Sequence, residues 1–303
     1  MTKIFISYNH QQGKWVWERL APCLKAGGAE VLIDRERFEV GKAVVGQMDA
    51  LQGQADKHVL VLSEDYLKSD YCRHEMDRAV DLDPDFQLGT VMPVLRSACE
   101  LPHAITRPNP LYADLRDDQQ PDPWANVLRS CNADLGTTAP TWLTARDVLV
   151  DYLGRNQSVN LIVQKGVNWQ KLINHITKDY FADLALVDLE DPDTMSRKGL
   201  LATISMALGA RVALPEKPRG DLAAFKAFLG ARPSVARVAL THFDLAPRRR
   251  YYDVDLFAAL RYFIERNKLV LLVQSHTPFG ALLPKDHLLS NINILNVELE
   301  VQP

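Results

Sequence analysis

Short apolar runs alternate with longer segments of helical periodicity along almost the whole chain, and this alternation limits the fold more than any other feature. Runs of about four to eight residues rich in β-branched side chains are typical of buried strands, and apolar residues every third or fourth position are typical of helices. The predicted strands are residues 3–8, 30–33, 58–62, 90–95 and 111–115, then 159–163, 182–189, 236–240, 269–274 and 292–301. The predicted helices are residues 15–26, 46–55, 69–80 and 124–131, then 142–153, 169–180, 198–208, 222–229 and 255–265. Strands that alternate with helices favour parallel sheets covered on both faces, so we predict an α/β protein.

The chain has 303 residues, which is enough for two domains with cores of their own. A stretch of small and turn-forming residues, Leu-Gly-Thr-Thr-Ala-Pro at positions 135–140, separates the two series of strands and helices. We therefore predict one domain over residues 1–135, a linker over residues 136–141 and a second domain over residues 142–303.

The composition excludes some classes of protein. Hydrophobic residues make up 47% and charged residues 24%, and the formal net charge is −3, so the chain has no signature of nucleic-acid binding. Three consecutive arginines, at positions 248–250, are more typical of a solvated turn. No uncharged apolar stretch reaches the length of a membrane span.

Cysteine usage favours a reducing compartment. The four cysteines, at positions 23, 72, 99 and 131, match neither a zinc pattern nor a dense disulfide framework. The sequence also runs from Met1 directly into an apolar strand, without a basic and apolar leader. We expect a cytoplasmic protein.

The residues that bind ligands in a parallel sheet lie beyond the carboxyl ends of its strands. In the first domain these are segments 7–10, 34–42 and 63–75. Ser69 is a suitable N-cap for the following helix, and Tyr71 and Glu75, four residues apart, project from one helix face. An aromatic ring that stacks and a carboxylate that accepts ribose hydroxyls suit a nucleotide-ribose ligand.

Four stretches of the first domain resemble the conserved boxes of TIR domains. They are residues 5–8 (Phe-Ile-Ser-Tyr), 31–34 with the polar loop to Gly41, 58–63, and 69–75 (Ser-Asp-Tyr-Cys-Arg-His-Glu). The resemblance implies a flavodoxin-like parallel sheet over residues 1–135. In TIR domains that consume NAD⁺ the glutamate of the last box is catalytic, which places that role on Glu75. Tyr71 stands where the family often has Trp, and it can still stack on a ligand.

The chemistry implied by the resemblance needs no cofactor, because NAD⁺ is itself the substrate. Nicotinamide is already a cationic leaving group, and a carboxylate near the ribose stabilises the oxocarbenium-like transition state and helps to deprotonate water. Other TIR domains are pure adaptors, so a non-enzymatic scaffold that signals by oligomerisation stays an alternative. A cyclase that makes a nucleotide messenger from NAD⁺ is the third hypothesis, because Glu75 does not decide whether water or an adenine nitrogen captures the ribosyl cation.

Other substrate-binding candidates lie on two loops. In a loop that begins at Asp34, Phe38 suits a lid, and three basic residues suit the pyrophosphate: Arg35, Arg37 and Lys42. The same loop could instead be solvated or serve TIR–TIR contacts. Ser7 and Tyr8, at the end of the first strand, are candidates for the pocket wall, and a buried structural role is the alternative for both.

The second domain resembles the core of an AAA or STAND-type ATPase, that is, a P-loop-NTPase-like α/β domain without an intact P-loop. Residues 159–166 stand in place of the Walker A strand and loop, residues 236–244 in place of Walker B, and residues 269–275 in place of the sensor strand. The phosphate loop G-x-x-x-x-G-K-[ST] is absent after Gly166, and Thr241 and His242 stand where Walker B normally carries acidic residues. We therefore predict no ATP hydrolysis.

A domain that keeps a nucleotide-binding fold without its chemistry usually senses or assembles. We expect the second domain to respond to an activating protein or ligand and to control self-association through the TIR domains. The architecture resembles bacterial immune proteins in which NAD⁺ depletion stops an infected cell. Three histidines, His242, His276 and His287, are too scattered in sequence to suggest a metal site, and a structural role is the expectation for each.

Overall fold

The protein, described by a computed structural model, folds into two compact units, residues 1–143 and residues 144–303. The structure describes residues 1–33, 44–210, 220–283, 287, 289 and 294–300. Among these residues no helix is both long and apolar enough to cross a membrane.

The first unit is built on a five-stranded parallel sheet. Its strands are β1 (Lys3–Tyr8), β2 (Glu30–Leu32), β3 (Lys57–Leu62), β4 (Val91–Leu95) and β5 (Ala113–Asp114). Their spatial order is β2-β1-β3-β4-β5, and every pairing is parallel. This is the strand order of flavodoxin-like folds, so the predicted fold class of the first domain is confirmed.

Helices cover both faces of this sheet. They are α1 (residues 13–26, with a π-helical turn at Val16–Leu20), α2 (Val44–Gln52), α3 (Glu64–Lys68), α4 (Asp70–Leu82), α5 (His103–Thr106) and α6 (Pro121–Ser130). The rings of Trp15 in α1 and Trp124 in α6 lie 5.8 Å apart on one face. On the other face Met76 and Ala79 of α4 pack on Leu60 and Leu62 of β3. Residues that face the α4 side along a strand alternate with residues that face the α1 side.

The second unit repeats the parallel α/β plan with a different strand order. Its strands are β6 (Val159–Val163), β7 (Leu184–Asp188), β8 (Ala236–Thr241), β9 (Leu269–Ser275) and β10 (Leu295–Leu299). They lie in the order β10-β6-β9-β8-β7, again with every pair parallel. The predicted second α/β domain is thus confirmed, with the three strands β6, β9 and β8 as neighbours at the centre of the sheet.

Six helices of the described residues lie wholly or partly in the second unit; apolar periodicity predicted five of them, and the short last one was not predicted. They are α7 (Ala139–Gly154), α8 (Gln170–Asp179), α9 (Arg197–Ala207), α10 (Gly220–Ala231), α11 (Val254–Glu265) and α12 (Phe279–Leu282). Phe225 of α10 and Phe263 of α11 meet edge to face with ring centroids 5.5 Å apart. Both rings are buried in one apolar cluster with β7, β8 and β9.

The linker differs from the prediction in its local structure. Residues 136–141 were expected to be irregular, but α7 already begins at Ala139. The hydroxyl of Thr138 accepts a hydrogen bond from the backbone N–H of Thr141 at 3.2 Å, and Pro140 occupies the first helical turn. Proline is tolerated there because that N–H has no helical partner, so this stretch of turn-forming residues starts a helix.

Candidate active site

Three polar side chains form a buried cluster at the carboxyl edge of the first sheet. Ser7 is the penultimate residue of β1, Tyr66 lies in α3, which follows β3, and Glu75 lies in α4. Ser7 pairs in register with Leu60, so its side chain is on the face that α4 covers. The cluster therefore lies where β1 and β3 end side by side, which is the position at which flavodoxin-like sheets bind ligands. We call Ser7, Tyr66 and Glu75 the Ser7 cluster.

A chain of two short hydrogen bonds connects the Ser7 cluster. The Ser7 hydroxyl donates to Glu75 Oε2 at 2.5 Å, and the Ser7 and Tyr66 oxygens are 2.8 Å apart. A serine hydroxyl has one proton, so with that proton on the bond to Glu75 the Tyr66 hydroxyl donates to Ser7. The direction of the chain is thus fixed from Tyr66 through Ser7 to the carboxylate.

Burial makes these bonds important. Ser7 is 1% exposed, Tyr66 is fully buried and Glu75 is 8% exposed. A carboxylate without hydrogen bonds in such a place would be costly. Burial, opposed by the hydrogen bond to Ser7 and reinforced by the charge of Glu75, holds the pKa of Tyr66 well above its ordinary value. Tyr66 therefore stays a neutral donor at physiological pH.

Helix caps and a cross-helix bond position the cluster. Ser63 accepts from the backbone N–H of Tyr66 at 3.1 Å and begins α3. Ser69 accepts from the backbone N–H of Cys72 at 3.4 Å, which confirms it as the N-cap of α4. The amide of Gln52 at the end of α2 donates to the backbone carbonyl of Glu75 at 2.8 Å, which ties α2 to α4 at that residue.

The structure brings together some of the predicted site residues and separates others. Ser7 and Glu75 meet directly, whereas Tyr71 is 56% exposed, one turn nearer the start of α4. Tyr8 points to the opposite face from Ser7, where its hydroxyl accepts from Trp17 Nε1 at 2.9 Å. The loop candidates Asp34, Arg35, Phe38 and Lys42 lie outside the described residues. Tyr66 was not predicted, since only the packing of α3 on β3 brings it to Ser7.

The carboxyl edge of the second sheet carries a different polar cluster. Asp188 ends β7, Glu190 follows it, and His242 follows β8, which pairs with β7. Ligand atoms of these three side chains lie within 4.8 Å of one another, and we call them the Asp188 cluster. Strand pairing thus joins His242 to Asp188, 54 positions earlier in the sequence, and the expectation of a structural role for His242 stays a prediction.

Two neighbouring residues at this edge, Asp244 and His276, form hydrogen bonds to other residues of the chain. Lys165 and Gly166 form an exposed turn after β6, with Gly166 at φ 93°. The carboxylate of Asp244 accepts from the backbone N–H of His276 at 2.9 Å, and His276 Nδ1 lies 2.8 Å from the carbonyl of Val163. Asp244, the acidic residue nearest the Walker B position, is thus used to join β8 to β9.

Comparison with known proteins identifies the first unit. The sequence model of the TIR domain family matches residues 4–128. Human Toll-like receptor 1 is 29% identical over 72 residues, and human Toll-like receptor 6 is 28% identical over 72 residues. These matches cover 24% of this chain and 9% of each receptor, so the chain spans about a tenth of the length of these relatives.

Solved structures are similar to parts of the chain. The TIR domain of the Toll-related receptor TRR-2 from Hydra magnipapillata has a TM-score of 0.37 and 20% identity, over 42% of this chain and 96% of that one. A Drosophila ORC structure bound to AT-rich DNA and Cdc6 has a TM-score of 0.41 and 12% identity, over 54% of this chain and 56% of that one. Together with its strand order, the family match leads to one conclusion: the N-terminal unit of this chain, over residues 4–128, is a TIR domain.

Proposed function

We propose that the TIR domain cleaves the nicotinamide–ribose bond of NAD⁺, with Glu75 as the catalytic residue. The observation that supports this most directly is a glutamate, 8% exposed, held by Ser7 at the carboxyl edge of the sheet. A glutamate on the surface face of α4 would have no desolvation cost. Placing it against a buried serine and tyrosine costs stability, and such costs are typical of functional sites.

The reaction requires few catalytic groups from the protein. The nicotinamide ring leaves as a neutral base, with both electrons of the bond, and the ribose carbon acquires positive charge. A fixed carboxylate stabilises that charge as it develops and accepts a proton from the attacking water. The products are nicotinamide and ADP-ribose, or a cyclic form if an adenine nitrogen replaces water.

The neighbours of Glu75 suit this role. The hydrogen bond from Ser7 restricts the rotation of the carboxylate, and the Tyr66 hydroxyl in turn orients Ser7. Fixed dipoles of this kind stabilise a transition state without rearranging during the reaction. Tyr71, one helical turn nearer the carboxyl edge and exposed, presents a ring on which a planar base can stack.

We further propose that the second unit controls the reaction through assembly. TIR domains signal through TIR–TIR contacts, and a site completed by a neighbouring TIR domain would become active only when chains cluster. An activating protein or ligand that binds the second unit would bring the TIR domains together. Depletion of NAD⁺ in an infected cell, as an antiviral defence, is the biological outcome that we propose for this arrangement.

The test is an assay of nicotinamide release by the purified full-length chain. NAD⁺ is incubated with the protein at high concentration with a crowding agent, and products are separated by chromatography. We expect wild type to release nicotinamide and Glu75→Gln to be slower by at least about a hundredfold, since lost electrostatic stabilisation costs that much in other enzymes. Gln keeps an acceptor for the Ser7 hydroxyl, so the fold should survive.

A matched control is Asp77→Asn, the same loss of charge at an exposed position of α4. It should leave nicotinamide release unchanged. Equal cleavage by wild type and Glu75→Gln would refute the role of Glu75. If the clustered wild type releases no nicotinamide but does form oligomers, the protein is instead a TIR scaffold that signals by oligomerisation.

A further inference from the structure

The Asp188 cluster combines the residue types that hold transition-metal ions. Asp188 and Glu190 carry two carboxylates, and His242 offers an imidazole. Among the described residues, no lysine or arginine forms an ion pair with either carboxylate. The nearby Arg249 donates instead to the backbone carbonyl of Leu189. The cluster thus has two negative charges and, when His242 is neutral, no positive one.

The carboxylate of Asp188 fixes the orientation of the imidazole. Its Oδ1 accepts from the backbone N–H of Glu190 at 2.9 Å and lies 2.7 Å from His242 Nδ1. A carboxylate that binds one ring nitrogen is the usual support of a metal-binding histidine, because it leaves the second nitrogen as the ligand.

The second ring nitrogen faces a suitable oxygen. His242 Nε2 lies 3.9 Å from Glu190 Oε2, which is too long for a hydrogen bond. Zinc binds nitrogen and carboxylate oxygen at about 2.0–2.2 Å, so one ion can bridge two atoms at this separation.

The backbone at His242 is held in a special conformation. Its φ and ψ are 53° and 40°, in the left-handed region that residues with a Cβ seldom adopt. The backbone N–H donates to Gln274 Oε1 at 2.8 Å, and the ring meets Trp169 edge to face at 5.4 Å. Strain of this kind in a residue fixed by its surroundings is typical of functional sites.

A second, independent observation also points to a ligand. Gln274, on β9 beside β8, is fully buried, and its Nε2 has no hydrogen-bond partner among the described residues. Its Oε1 accepts a hydrogen bond from the backbone N–H of His242, so the amide group lies next to the residue that carries the imidazole. Buried donors are almost always satisfied, so this one indicates an acceptor that the described residues do not supply.

We propose that the Asp188 cluster is a binding site for a divalent transition-metal ion of the zinc class. His242 Nε2 and the Glu190 carboxylate bind the ion, and Asp188 orients the ring through its bond to Nδ1. The imidazole selects against Mg²⁺ and Ca²⁺, which prefer all-oxygen sites. The remaining positions are open to water or to an anionic ligand at the carboxyl edge of the second sheet.

The test measures zinc binding by the full-length chain. Protein stripped with EDTA is titrated with ZnCl₂ in competition with a chromophoric chelator, and bound zinc is counted by elemental analysis after dialysis. We expect one ion per wild-type chain. Asp188→Asn should weaken binding by about ten- to a hundredfold, the usual effect of removing the support of a metal-binding histidine.

Glu190→Gln removes a direct ligand whose side chain is 65% exposed, so this variant folds and is expected to lose the bound ion. The matched control is Glu265→Gln, a glutamate 55% exposed in a groove at the opposite edge of the sheet, which should bind as wild type does. If wild type retains no zinc, the proposal is wrong. Equal retention by wild type and Glu190→Gln would place the zinc elsewhere and also overturn it.

Discussion

Replacing Ser7 with alanine should destabilise the TIR domain far more than the loss of one exposed hydroxyl would. The change removes a hydrogen bond to a buried carboxylate and leaves the Tyr66 hydroxyl without its acceptor. A hydrogen bond to a charged group contributes about 1.5–3 kcal/mol, and an unsatisfied buried donor costs about 1–3 kcal/mol. We expect the free energy of unfolding to fall by about 2–4 kcal/mol, because the two effects overlap when the remaining groups relax.

Tyr66→Phe tests the coupling between Tyr66 and Ser7 more sharply, because the chain of hydrogen bonds runs in one direction, from Tyr66 to Ser7 to Glu75. In wild type this change removes a single neutral hydrogen bond, which should cost about 1 kcal/mol. In the Ser7→Ala background the same change removes a buried hydroxyl that has already lost its acceptor. It should then be neutral or stabilising, so the double-mutant cycle should give a coupling of about 1–2 kcal/mol.

Urea unfolding followed by tryptophan fluorescence measures these values in the full chain. Three of the five tryptophans, Trp15, Trp17 and Trp124, lie in the TIR domain, so the signal reports mainly on that domain. The urea concentration at the midpoint of unfolding should change, while the dependence of the unfolding free energy on urea stays constant. None of the variants changes the surface that is exposed on unfolding. Equal costs of Tyr66→Phe in the two backgrounds would show that Ser7 and Tyr66 are not coupled, and the reasoning would fail.

Two further predictions concern stability. Asp83 is buried, and burial by itself would raise the pKa of its carboxyl group. Hydrogen bonds from the backbone N–H groups of Leu88 and Thr90 outweigh that effect and lower the pKa from the usual 3.8. The ionised Asp83 carboxylate therefore stabilises the fold above a pH of about 4, and this stabilisation is lost as the pH falls through the folded pKa. Asp83→Asn should make the melting temperature fall less steeply in acid. An unchanged fall in the variant would contradict this prediction. In the second unit, Gly199→Ala would place a Cβ 1.9 Å from the carbonyl oxygen of Asp193 and should destabilise strongly, whereas Gly230→Ala, with open space around it, should stabilise α10 by up to about 1 kcal/mol. Thermal unfolding of the two variants measures both, and equal shifts would refute the steric argument.

The sequence predicts the secondary structure of this chain well because its signals are local. An apolar strand such as β6 and an amphipathic helix such as α8 each carry their own periodicity, and both were predicted to within a few residues. Short elements without a full period, such as α3 and α5, were not predicted. The helix start at Ala139 was also missed, because Thr-Ala-Pro serves equally well in a loop and in a first helical turn.

The sites were predicted less completely, for a physical reason. The position of Ser7 and Glu75 at the strand ends follows from the parallel sheet, so they could be associated in advance. The contact of Tyr66 with Ser7 depends on how α3 packs, and that of Asp188 with His242 depends on which strands are neighbours. The pair Tyr71 and Glu75 shows the limit of spacing alone, because two residues of one helix face differ from 56% to 8% in exposure.

The two clusters differ in how the negative charge of their carboxylates is stabilised, and this difference determines which kind of ligand each cluster would bind. In the Ser7 cluster a single carboxylate receives a hydrogen bond from a neutral hydroxyl, which is itself supported by a second hydroxyl. In the proposed reaction, this carboxylate faces a cationic ribose only while the bond to nicotinamide breaks. In the Asp188 cluster two carboxylates share one imidazole, and a buried amide donor beside it is unsatisfied. A bound divalent cation would balance the charges of both carboxylates, which a neutral imidazole does not.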